Sequence, residues 1–324
     1  MYMLNEQPKS LIEAIKLYGD ELYCIKLLAN LRWLNGIPVC PKCDAEENGR
    51  KHMWLAKQKR WKCYTCRKQF SVKQGTIFED SPISLSKWFT ALWLLVNCKN
   101  GVSSYEIARD LEITQKSAWF VLQRLRFILK DVSMEKMGTS GTPVQMDESF
   151  HGGKPKNMHR TRRLKQRIAE NGYAEKTSVF GMLETGTRQV RAMVVPNVKR
   201  VTLQNAILDN VGVGSTIHTD QWMGYGGLAK QFVHETVNHM TEYVTEGGVN
   251  TQAIENFWSL LKRGLQGTYV AVEAMHMDRY LDEQMFRFNN RIGYNDGNRF
   301  VKALSQSPNR RLTYADLTGK EAVR

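Results

Sequence analysis

Three carboxylates in the second half of the chain stand in settings that suit catalytic acids. Asp147 lies within a segment that alternates like a β-strand, and Asp220 ends another such segment. Glu255 lies on an amphipathic helix over residues 251–264. Adjacent strands can bring the two aspartates together, and a helix that crosses the sheet edge can add the glutamate.

Clustered carboxylates of this kind repel one another unless cations lie between them. Two hard divalent cations, Mg²⁺ or Mn²⁺, relieve the repulsion while keeping waters and taking phosphate oxygens as ligands. Two such ions about 4 Å apart activate the attacking oxygen and stabilise the leaving oxygen in phosphoryl transfer. The three acids therefore predict a two-metal site that cleaves and joins DNA.

Each acid also has a purely structural explanation. Asp147 could pair with an arginine and leave Glu148 as the metal ligand. Asp220 could simply begin a turn, a common position for aspartate. Glu255 could pair with Lys262 along its helix. The joint arrangement of strand, strand end and helix favours the metal site over these three explanations.

The helix over residues 251–264 places an acid and a base beside an apolar stripe. The stripe follows the spacing i, i+3, i+4 and i+7 of a buried helical face, through Ile254, Phe257, Trp258 and Leu261. Glu255, Ser259 and Lys262 follow the same spacing on a neighbouring strip. This pattern suits a catalytic carboxylate, and it suits an ordinary surface helix equally well.

Four of the six cysteines form two Cys-x-x-Cys pairs, Cys40 with Cys43 and Cys63 with Cys66, with 19 residues between the pairs. This spacing predicts a zinc ribbon that holds one structural Zn²⁺ through four thiolates, with no position left for a water. Two disulfides are the alternative, and they require an oxidising compartment. Cys24 and Cys98 lie within apolar helical patterns and are predicted core residues.

Composition indicates a large folded protein with a polyanionic partner. The 324 residues are 42% hydrophobic, enough for a substantial core and two or more domains. The net charge of +14 favours nucleic acid as the partner, although it also aids solubility. The first thirty residues lack a secretory pattern, and the longest apolar stretch, near residues 89–96, is too short to span a bilayer. We therefore expect a cytoplasmic protein without membrane contact.

Residues 84–130 have the outline of a helix-turn-helix. A capping box from Ser103 to Glu106 opens a short helix, and residues 114–129 form a longer basic helix after a tight connection. Helix pairs of this length also occur in proteins that do not bind DNA. The polar side chains predicted to face outward from the second helix are Gln115, Lys116, Gln123, Arg124 and Arg126.

Two further basic segments could follow a phosphate backbone. Residues 154–167 contain seven Lys or Arg in fourteen positions, and Arg160, Arg162 and Arg163 are their candidate DNA contacts. A solvated hairpin is the equally plausible alternative for this run. The basic residues of the zinc ribbon, between positions 57 and 68, have the same two explanations.

The second half of the chain predicts an α/β domain with a mixed sheet. A strand, a hairpin, a helix, a strand, a helix and a strand are expected in that order, with acids on the first and fourth strands. This expected order of elements is similar to that of ribonuclease-H-like domains. The helix over residues 251–264 follows, then a closing helix over residues 272–290 that is rich in aromatic residues and methionine.

Three sequence motifs resemble those of DDE transposases. They are Met-Asp-Glu-Ser around Asp147, His-Thr-Asp-Gln-Trp-x-x-Tyr around Asp220, and Ile-Glu-Asn-Phe-Trp-Ser-Leu-Leu-Lys-Arg-Gly around Glu255. Glu255 follows Asp220 by 35 positions, a spacing typical of this class. The subgroup that the chain resembles comprises bacterial insertion-sequence transposases with an N-terminal zinc ribbon, relatives of the eukaryotic Merlin elements.

The resemblance implies a ribonuclease-H-like catalytic domain in which Asp147, Asp220 and Glu255 bind two Mg²⁺ or Mn²⁺. It also implies that Lys262 contacts DNA near the scissile phosphate, with Arg263 beside it as a further candidate contact. The partners would be double-stranded DNA, as element ends and target, and further copies of the chain in a synaptic complex. One departure is visible, because residues 250–252 read Asn-Thr-Gln where the subgroup has His-Thr-Asn.

The predicted domains are an N-terminal helical segment (1–36), the zinc ribbon (37–80), the helix-turn-helix (81–135), the catalytic domain (140–295) and a peripheral C-terminal tail (296–324). The predicted function is a transposase that binds the inverted repeats of its element, cleaves the ends and transfers the 3′ ends to target DNA. Two rivals remain. One is a domesticated DNA-binding regulator without catalysis, and the other is a structure-directed nuclease of the same fold.

Overall fold

The structure is a computed structural model that describes residues 7–33, 36–44, 52–130, 135–152, 160–161, 176–237 and 249–319. The chain divides into two compact units. The first comprises Met1–Lys130 and Asn290–Arg324, and the second comprises Asp131–Asn289. Within the described ranges, no helix combines the length and the apolar character that a membrane crossing requires.

Five helices form the first part of unit 1, and side-chain caps begin each of them. They are α1 (Leu11–Tyr18), α2 (Glu21–Arg32), α3 (Leu85–Asn97), α4 (Ser104–Asp110) and α5 (Gln115–Leu129). Ser103 and Glu106 form the predicted capping box of α4, in which each side chain accepts a hydrogen bond from the other residue's backbone N–H. Thr114 caps α5, because its side chain accepts a hydrogen bond from the backbone N–H of Ser117. These caps place the start of the helix pair at the residues that the sequence predicts.

Between α2 and α3 lies a small antiparallel sheet with the order β1 (Met53–Leu55), β2 (Arg60–Lys62) and β3 (Gln69–Phe70). Its core is aromatic. The ring of Trp61 lies 5.4 Å from that of Trp33 and stacks on Phe70 at 5.9 Å. A sheet of this size buries little apolar surface, so its fold depends on additional restraints.

Unit 2 is built on a five-stranded mixed sheet. Its strands are β4 (Val144–His151), β5 (Thr177–Glu184), β6 (Val190–Val195), β7 (Thr216–Asp220) and β8 (Val233–Val237), in the spatial order β6-β5-β4-β7-β8. The chain pairs β4, β5 and β6 antiparallel, and it pairs β4, β7 and β8 parallel. Strand β4 therefore lies at the centre, beside both the hairpin and β7.

The described residues of unit 2 also contain the helices α6 (Arg200–Asn210), α7 (Gln252–Gly264) and α8 (Met277–Asn289). A π-helical turn, Leu265–Tyr269, continues directly from α7. Between β7 and β8 the chain forms two short 3₁₀ turns, Met223–Tyr225 and Leu228–Lys230, where a helix is predicted. The left-handed Gly227 separates the turns and prevents one continuous helix.

The two faces of the sheet carry separate cores. Val144 and Met146 pack on one face with Leu203 and Ile207 of α6. The other face packs against α7 and α8. Because side chains alternate along a strand, the odd-numbered residues of β4 point toward α7. Asp147 belongs to this odd-numbered set.

The C-terminal part of unit 1 contains α9 (Asp296–Ser305) and α10 (Tyr314–Thr318). Phe300 of α9 is fully buried, and its ring stacks on Tyr18 at 4.5 Å between centroids. The prediction of a peripheral tail over residues 296–324 is therefore wrong for α9. Its apolar residues complete the core of the N-terminal helices, a long-range contact that a polar local composition does not reveal.

Candidate functional site

The four predicted zinc ligands meet in the ribbon. The Sγ atoms of Cys40 and Cys66 lie 3.7 Å apart, as do those of Cys43 and Cys63, and all four lie within 4.8 Å of one another. A tetrahedral zinc ion with Zn–S bonds of about 2.3 Å separates its sulfurs by about 3.8 Å. The predicted four-cysteine cluster is confirmed, and its dimensions fit one Zn²⁺.

Each cysteine pair lies on a tight turn. The backbone N–H of Asp44 donates to the Cys40 carbonyl at 2.8 Å, and that of Arg67 donates to the Cys63 carbonyl at 3.1 Å. Asp44 and Arg67 both adopt positive φ, at 49° and 61°. Such turns let the sulfurs of two cysteines three positions apart converge on one point.

The electrostatics of the cluster also favour a cation. Burial raises the pKa of Cys40 to about 12. Burial opposes ionisation of Cys63 as well, but the backbone N–H groups of Cys66 and Thr65 outweigh it and lower the pKa of Cys63 to about 6. Four neighbouring thiols cannot all ionise at neutral pH without a positive ion between them. The donor set therefore fits a structural zinc.

Asp147 lies near the centre of β4 and is hydrogen-bonded to α7. The indole Nε1 of Trp258 donates to its Oδ2 at 3.0 Å. Burial, together with the negative charges of Asp220 and Glu255, raises the pKa of Asp147 to about 6 against opposing hydrogen bonds. The structure thus brings the three predicted acids into one electrostatic neighbourhood.

Asp220 ends β7, where its carboxylate is also part of a turn. Its Oδ1 accepts a hydrogen bond from the backbone N–H of Trp222 at 3.0 Å. The structural explanation for Asp220 is therefore realised, and it does not exclude the functional one. One carboxylate oxygen orients the side chain while the residue remains close enough to raise the pKa of Asp147.

Glu255 lies in the first turn of α7 and is half-buried. The hydroxyl of Thr251 donates to its Oε1 at 3.0 Å. Lys262 and Arg263 are exposed in the last turn of the same helix. Burial lowers the pKa of His151 to about 4, with a smaller contribution from the charge of Lys262. Lys262 therefore lies on the side of α7 that faces the end of β4.

The alternative ligand Glu148 points away from Asp147, because the two residues are neighbours on one strand. The phenol of Tyr225 donates to Glu148 Oε1 at 2.5 Å. Burial raises the pKa of Glu148 to about 7, against the Tyr225 hydrogen bond and with support from the charges of Asp147 and Asp220. Tyr225, the last residue of the His-Thr-Asp-Gln-Trp-x-x-Tyr motif, is thus the polar partner of Glu148.

The three acids are more widely spread than the cysteines. In the part of the chain that the structure describes, the cysteine cluster is the one group whose candidate ligand atoms all lie within 4.8 Å of one another. Asp147, Asp220 and Glu255 do not form so tight a group.

Two of the predicted DNA contacts on α5 are buried. Gln123 is fully buried, and Arg124 is 4% exposed, with its guanidinium donating to the Glu79 carbonyl at 2.8 Å. The prediction that these residues and Arg126 face outward is wrong, since other elements of unit 1 cover the helix on that side as well. Only a tertiary contact could show this, because the helical period identifies one buried face and not a second.

The remaining candidate DNA contacts divide into two groups. Lys116 and Arg160 are exposed, and Lys116 lies over the Tyr314 ring at 5.5 Å. Arg162 and Arg163 lie outside the described residues.

His218 pairs with Glu235 at 3.0 Å. His239 falls outside the described ranges.

Trp258 is the clearest residue that the sequence pattern misassigns. Its position in the apolar stripe predicts a core role, and its ring is indeed 3% exposed. Its indole N–H nevertheless reaches a candidate catalytic acid. The available signal is chemical, since a buried tryptophan usually finds a hydrogen-bond acceptor for its N–H.

Both units match known transposase domains. Residues 139–289 match the ISXO2-like transposase domain, and residues 19–69 match a transposase zinc-ribbon domain. The fold and the four-cysteine site therefore define a zinc-ribbon transposase. The chain belongs to the family of insertion-sequence transposases with an ISXO2-like domain. The resemblance inferred from the sequence motifs is confirmed.

Two relatives support this assignment. The chain is 27% identical over 258 residues to an uncharacterized protein in transposable element ISH50 of Halobacterium salinarum, covering 78% of this chain and 85% of the relative. It is 36% identical over 103 residues to an uncharacterized transposase-like protein of Haemophilus influenzae, covering 32% of this chain and 82% of the relative.

Proposed function

We propose that this chain binds the terminal inverted repeats of its own insertion element, cleaves the element ends and transfers the freed 3′ ends to target DNA. The observation that carries the proposal is the convergence of Asp147, Asp220 and Glu255 around one end of the mixed sheet, within a chain of the transposase family. The order β6-β5-β4-β7-β8 supports a ribonuclease-H-like catalytic domain, because it brings β7 alongside β4.

The donor set fits divalent metal ions. Two hydrogen bonds from within the chain, from Trp258 to Asp147 and from the Trp222 backbone to Asp220, each engage one carboxylate oxygen. Burial, together with the negative charges of Asp220 and Glu255, raises the pKa of Asp147, and cations would offset both effects. Carboxylate oxygens are ligands that suit Mg²⁺ or Mn²⁺. When bound, two such ions would supply an activated water and stabilise the leaving 3′ oxygen.

Side chains of the protein orient the acids and supply positive charge for the DNA backbone. Trp258 and Thr251 orient two of the acids, so that the carboxylates need not reorganise when DNA enters. Lys262 and Arg263 are exposed at the far end of the same helix and supply positive charge for the phosphate backbone. The zinc ribbon and the α4–α5 pair, read as a helix-turn-helix, bind DNA through exposed residues such as Lys116, and two or more copies of the chain hold the paired ends.

The test uses the full chain and a DNA fragment that carries the inverted repeats flanking its reading frame. We expect Mg²⁺-dependent cleavage and end joining by the wild-type protein. We expect DNA binding to be retained, and the cleavage rate to fall at least about 100-fold, in each of the variants Asp147→Asn, Asp220→Asn and Glu255→Gln. This loss would exceed the usual decrease of about 10–100-fold that follows removal of a group that only orients a metal ligand. Cleavage by the three folded variants at wild-type rates would refute the assignment of the acids.

The same experiment separates the rival functions. Specific binding to the repeats with no Mg²⁺-dependent cleavage by the wild-type protein would indicate a regulator. Cleavage of branched or hybrid substrates without end joining would indicate a structure-directed nuclease. Either result would overturn the proposal, while cleavage followed by joining at the repeats would support it.

A further inference from the structure

Gln145, two positions before Asp147 on β4, is bound to the first turn of α7. Its side chain is 2% exposed. Its Oε1 accepts hydrogen bonds from the backbone N–H groups of Ala253 at 2.9 Å and Ile254 at 3.2 Å. These are the donors that an N-cap side chain of the helix itself would normally satisfy. A strand residue therefore caps the helix that carries Glu255.

The helix does not supply this cap itself. Thr251 occupies the N-cap position, yet its side chain makes no capping hydrogen bond. The Thr251 hydroxyl donates to the Glu255 carboxylate instead, at 3.0 Å. Because Gln145 satisfies the two N–H groups, Thr251 is released from capping and holds the acid. Gln145 also donates from Nε2 to Asn250 Oδ1 at 2.8 Å, just before the helix.

A second connection joins the same strand and helix one turn further on. Trp258 donates to Asp147, as described above. Gly181 lies directly opposite Asp147 on β5. A Cβ atom at position 181 would lie 2.5 Å from the Trp258 ring and 3.0 Å from the Ile254 side chain. Only glycine leaves space for the indole to lie against the sheet and reach the aspartate.

We propose that Gln145 and Trp258 are positioning residues that set the separation of Asp147 and Glu255, with Gly181 providing the space. The inference rests on the proposed function of this site. Two connections one helical turn apart fix both the position of α7 along β4 and its rotation about its own axis. One connection together with the apolar packing of α7 would hold its rotation less firmly, and Glu255 would move relative to Asp147.

The expected consequence is a loss of metal affinity. Groups that orient metal ligands typically contribute about 10–100-fold to affinity or activity when they are removed. Displacement of Glu255 changes the separation of two ligands, whereas a general loss of packing lowers stability and leaves the folded site unchanged. Metal affinity measured on folded protein therefore distinguishes positioning from structural support.

The test compares the full-length wild-type chain with Gln145→Met, which keeps the length of the side chain and removes its three hydrogen bonds. Mn²⁺ binding to the zinc-loaded protein is measured by titration calorimetry without DNA, and hydrogen exchange follows the amides of Ala253 and Ile254. We expect about tenfold weaker Mn²⁺ binding and faster exchange at both amides. Gln145→Glu keeps the acceptor oxygens and should restore slow exchange.

Gln189→Met is the matched control. Gln189 also links the sheet to a helix, since its Nε2 donates to the Asn289 carbonyl at the end of α8. Its substitution should leave Mn²⁺ affinity and exchange in α7 unchanged. Unchanged Mn²⁺ affinity in folded Gln145→Met, with wild-type protein that binds the ion, would overturn the inference.

The measurement of Mn²⁺ binding also distinguishes this inference from the proposed function. Wild-type protein that binds Mn²⁺ but does not cleave repeat DNA would refute the transposition mechanism and leave the positioning result valid. Wild-type protein that cleaves normally, with a Gln145→Met variant of unchanged Mn²⁺ affinity and unchanged Mg²⁺ dependence, would refute positioning alone.

Discussion

The zinc ribbon and the acidic site are built in opposite ways. The four cysteines lie between Cys40 and Cys66, on two turns whose backbone hydrogen bonds close locally. The three acids come from two strands and a helix, and more than a hundred positions separate Asp147 from Glu255. The cysteines stand at the spacing of a tetrahedral ion, whereas the carboxylates are spread more widely.

This difference shows what holds each set of ligands. In the ribbon, the aromatic core around Trp61 is small, so a metal ion must supply much of the folding free energy. In unit 2, two apolar cores stabilise the sheet and helices without a metal. The ribbon therefore needs its ion to fold, while the acidic site is preformed and its acids are held against their own repulsion.

Zinc removal should give the largest effect and should affect one region only. A chelator, or Cys63→Ser, removes a contribution worth about 10–16 kcal/mol in isolated zinc-finger peptides. We expect the amides of β1, β2 and β3 to lose protection from hydrogen exchange while those of β4 and β5 keep it. Cys98→Ser, outside the cluster, is the control. Retained protection throughout the zinc-free ribbon would show that the aromatic core suffices.

Gly181→Ala should impair the acidic site without affecting the ribbon. The added methyl group would displace the Trp258 ring, which a Cβ would otherwise meet at 2.5 Å. We expect DNA cleavage to fall about 10–100-fold, measured as single-turnover rates at saturating DNA. Gly267→Ala, where a Cβ meets nothing within 4 Å, is the matched control. Equal rates for both variants would show that the position of Trp258 is unimportant.

Thr251→Val should give a smaller loss, because it removes one hydrogen bond to Glu255 and keeps the side-chain shape. We expect about a tenfold decrease in cleavage and a higher Mg²⁺ concentration for half-maximal rate. Thr202→Val removes a comparable hydrogen bond, from Thr202 on α6 to Asn197, and should leave both values unchanged. A Mg²⁺ dependence identical to wild type would exclude a role for Thr251 in holding the acid.

Asp147→Asn should raise stability, and the gain should depend on pH. Burial raises the pKa of Asp147 to about 6 in the folded protein, so the folded state binds more protons than the unfolded state between about pH 4 and pH 6. Stability from this group is therefore highest at low pH and decreases as pH rises through the folded pKa. Asparagine removes that decrease.

The measurement is the thermal unfolding midpoint of Mg²⁺-free protein with its zinc retained. We expect Asp147→Asn to exceed wild type by a few degrees at pH 8, at roughly 2–4 °C per kcal/mol for a domain of this size, and by less at pH 5. Taking the difference cancels groups that Asp147 does not influence, including His151, whose lowered pKa acts in the opposite direction. Glu148, whose pKa the charge of Asp147 helps to raise, adds to the difference in the same direction as Asp147. The exposed Asp209→Asn is the control. A pH-independent difference would show that folding does not raise the pKa of Asp147.

Several elements follow from local chemistry and could be predicted from the sequence. The Ser103–Glu106 capping box begins α4 at the predicted residue. The spacing of the cysteine pairs predicts the ribbon, because two short turns are enough to bring the sulfurs together. The period of the stripe predicts the buried face of α7, where Ile254, Phe257 and Leu261 are all buried. Each of these features depends on short local segments, namely one helical turn, two tight turns that each carry a cysteine pair, and one helix.

Other predictions failed because contacts from distant segments outweigh local patterns. Gln123 and Arg124 stand on the face of α5 that a single helical period assigns to solvent, and unit 1 buries them. Phe300 lies in a polar C-terminal stretch and packs on Tyr18 near the other end of the chain. A local period describes which side of a helix is apolar, and it cannot show how many sides other segments cover.

By itself, the sequence determined the zinc ligands, the identity of the three candidate acids and the family. Spacing and motif wording record these features directly, because ligand type and short-range geometry are properties of the local chain. The tertiary structure decided that Gln145 caps the helix of Glu255, that Trp258 holds Asp147, and that Gly181 leaves the space for it. Those relations depend on the pairing of β4 with β5 and the packing of α7 across them, and a linear pattern does not encode that pairing.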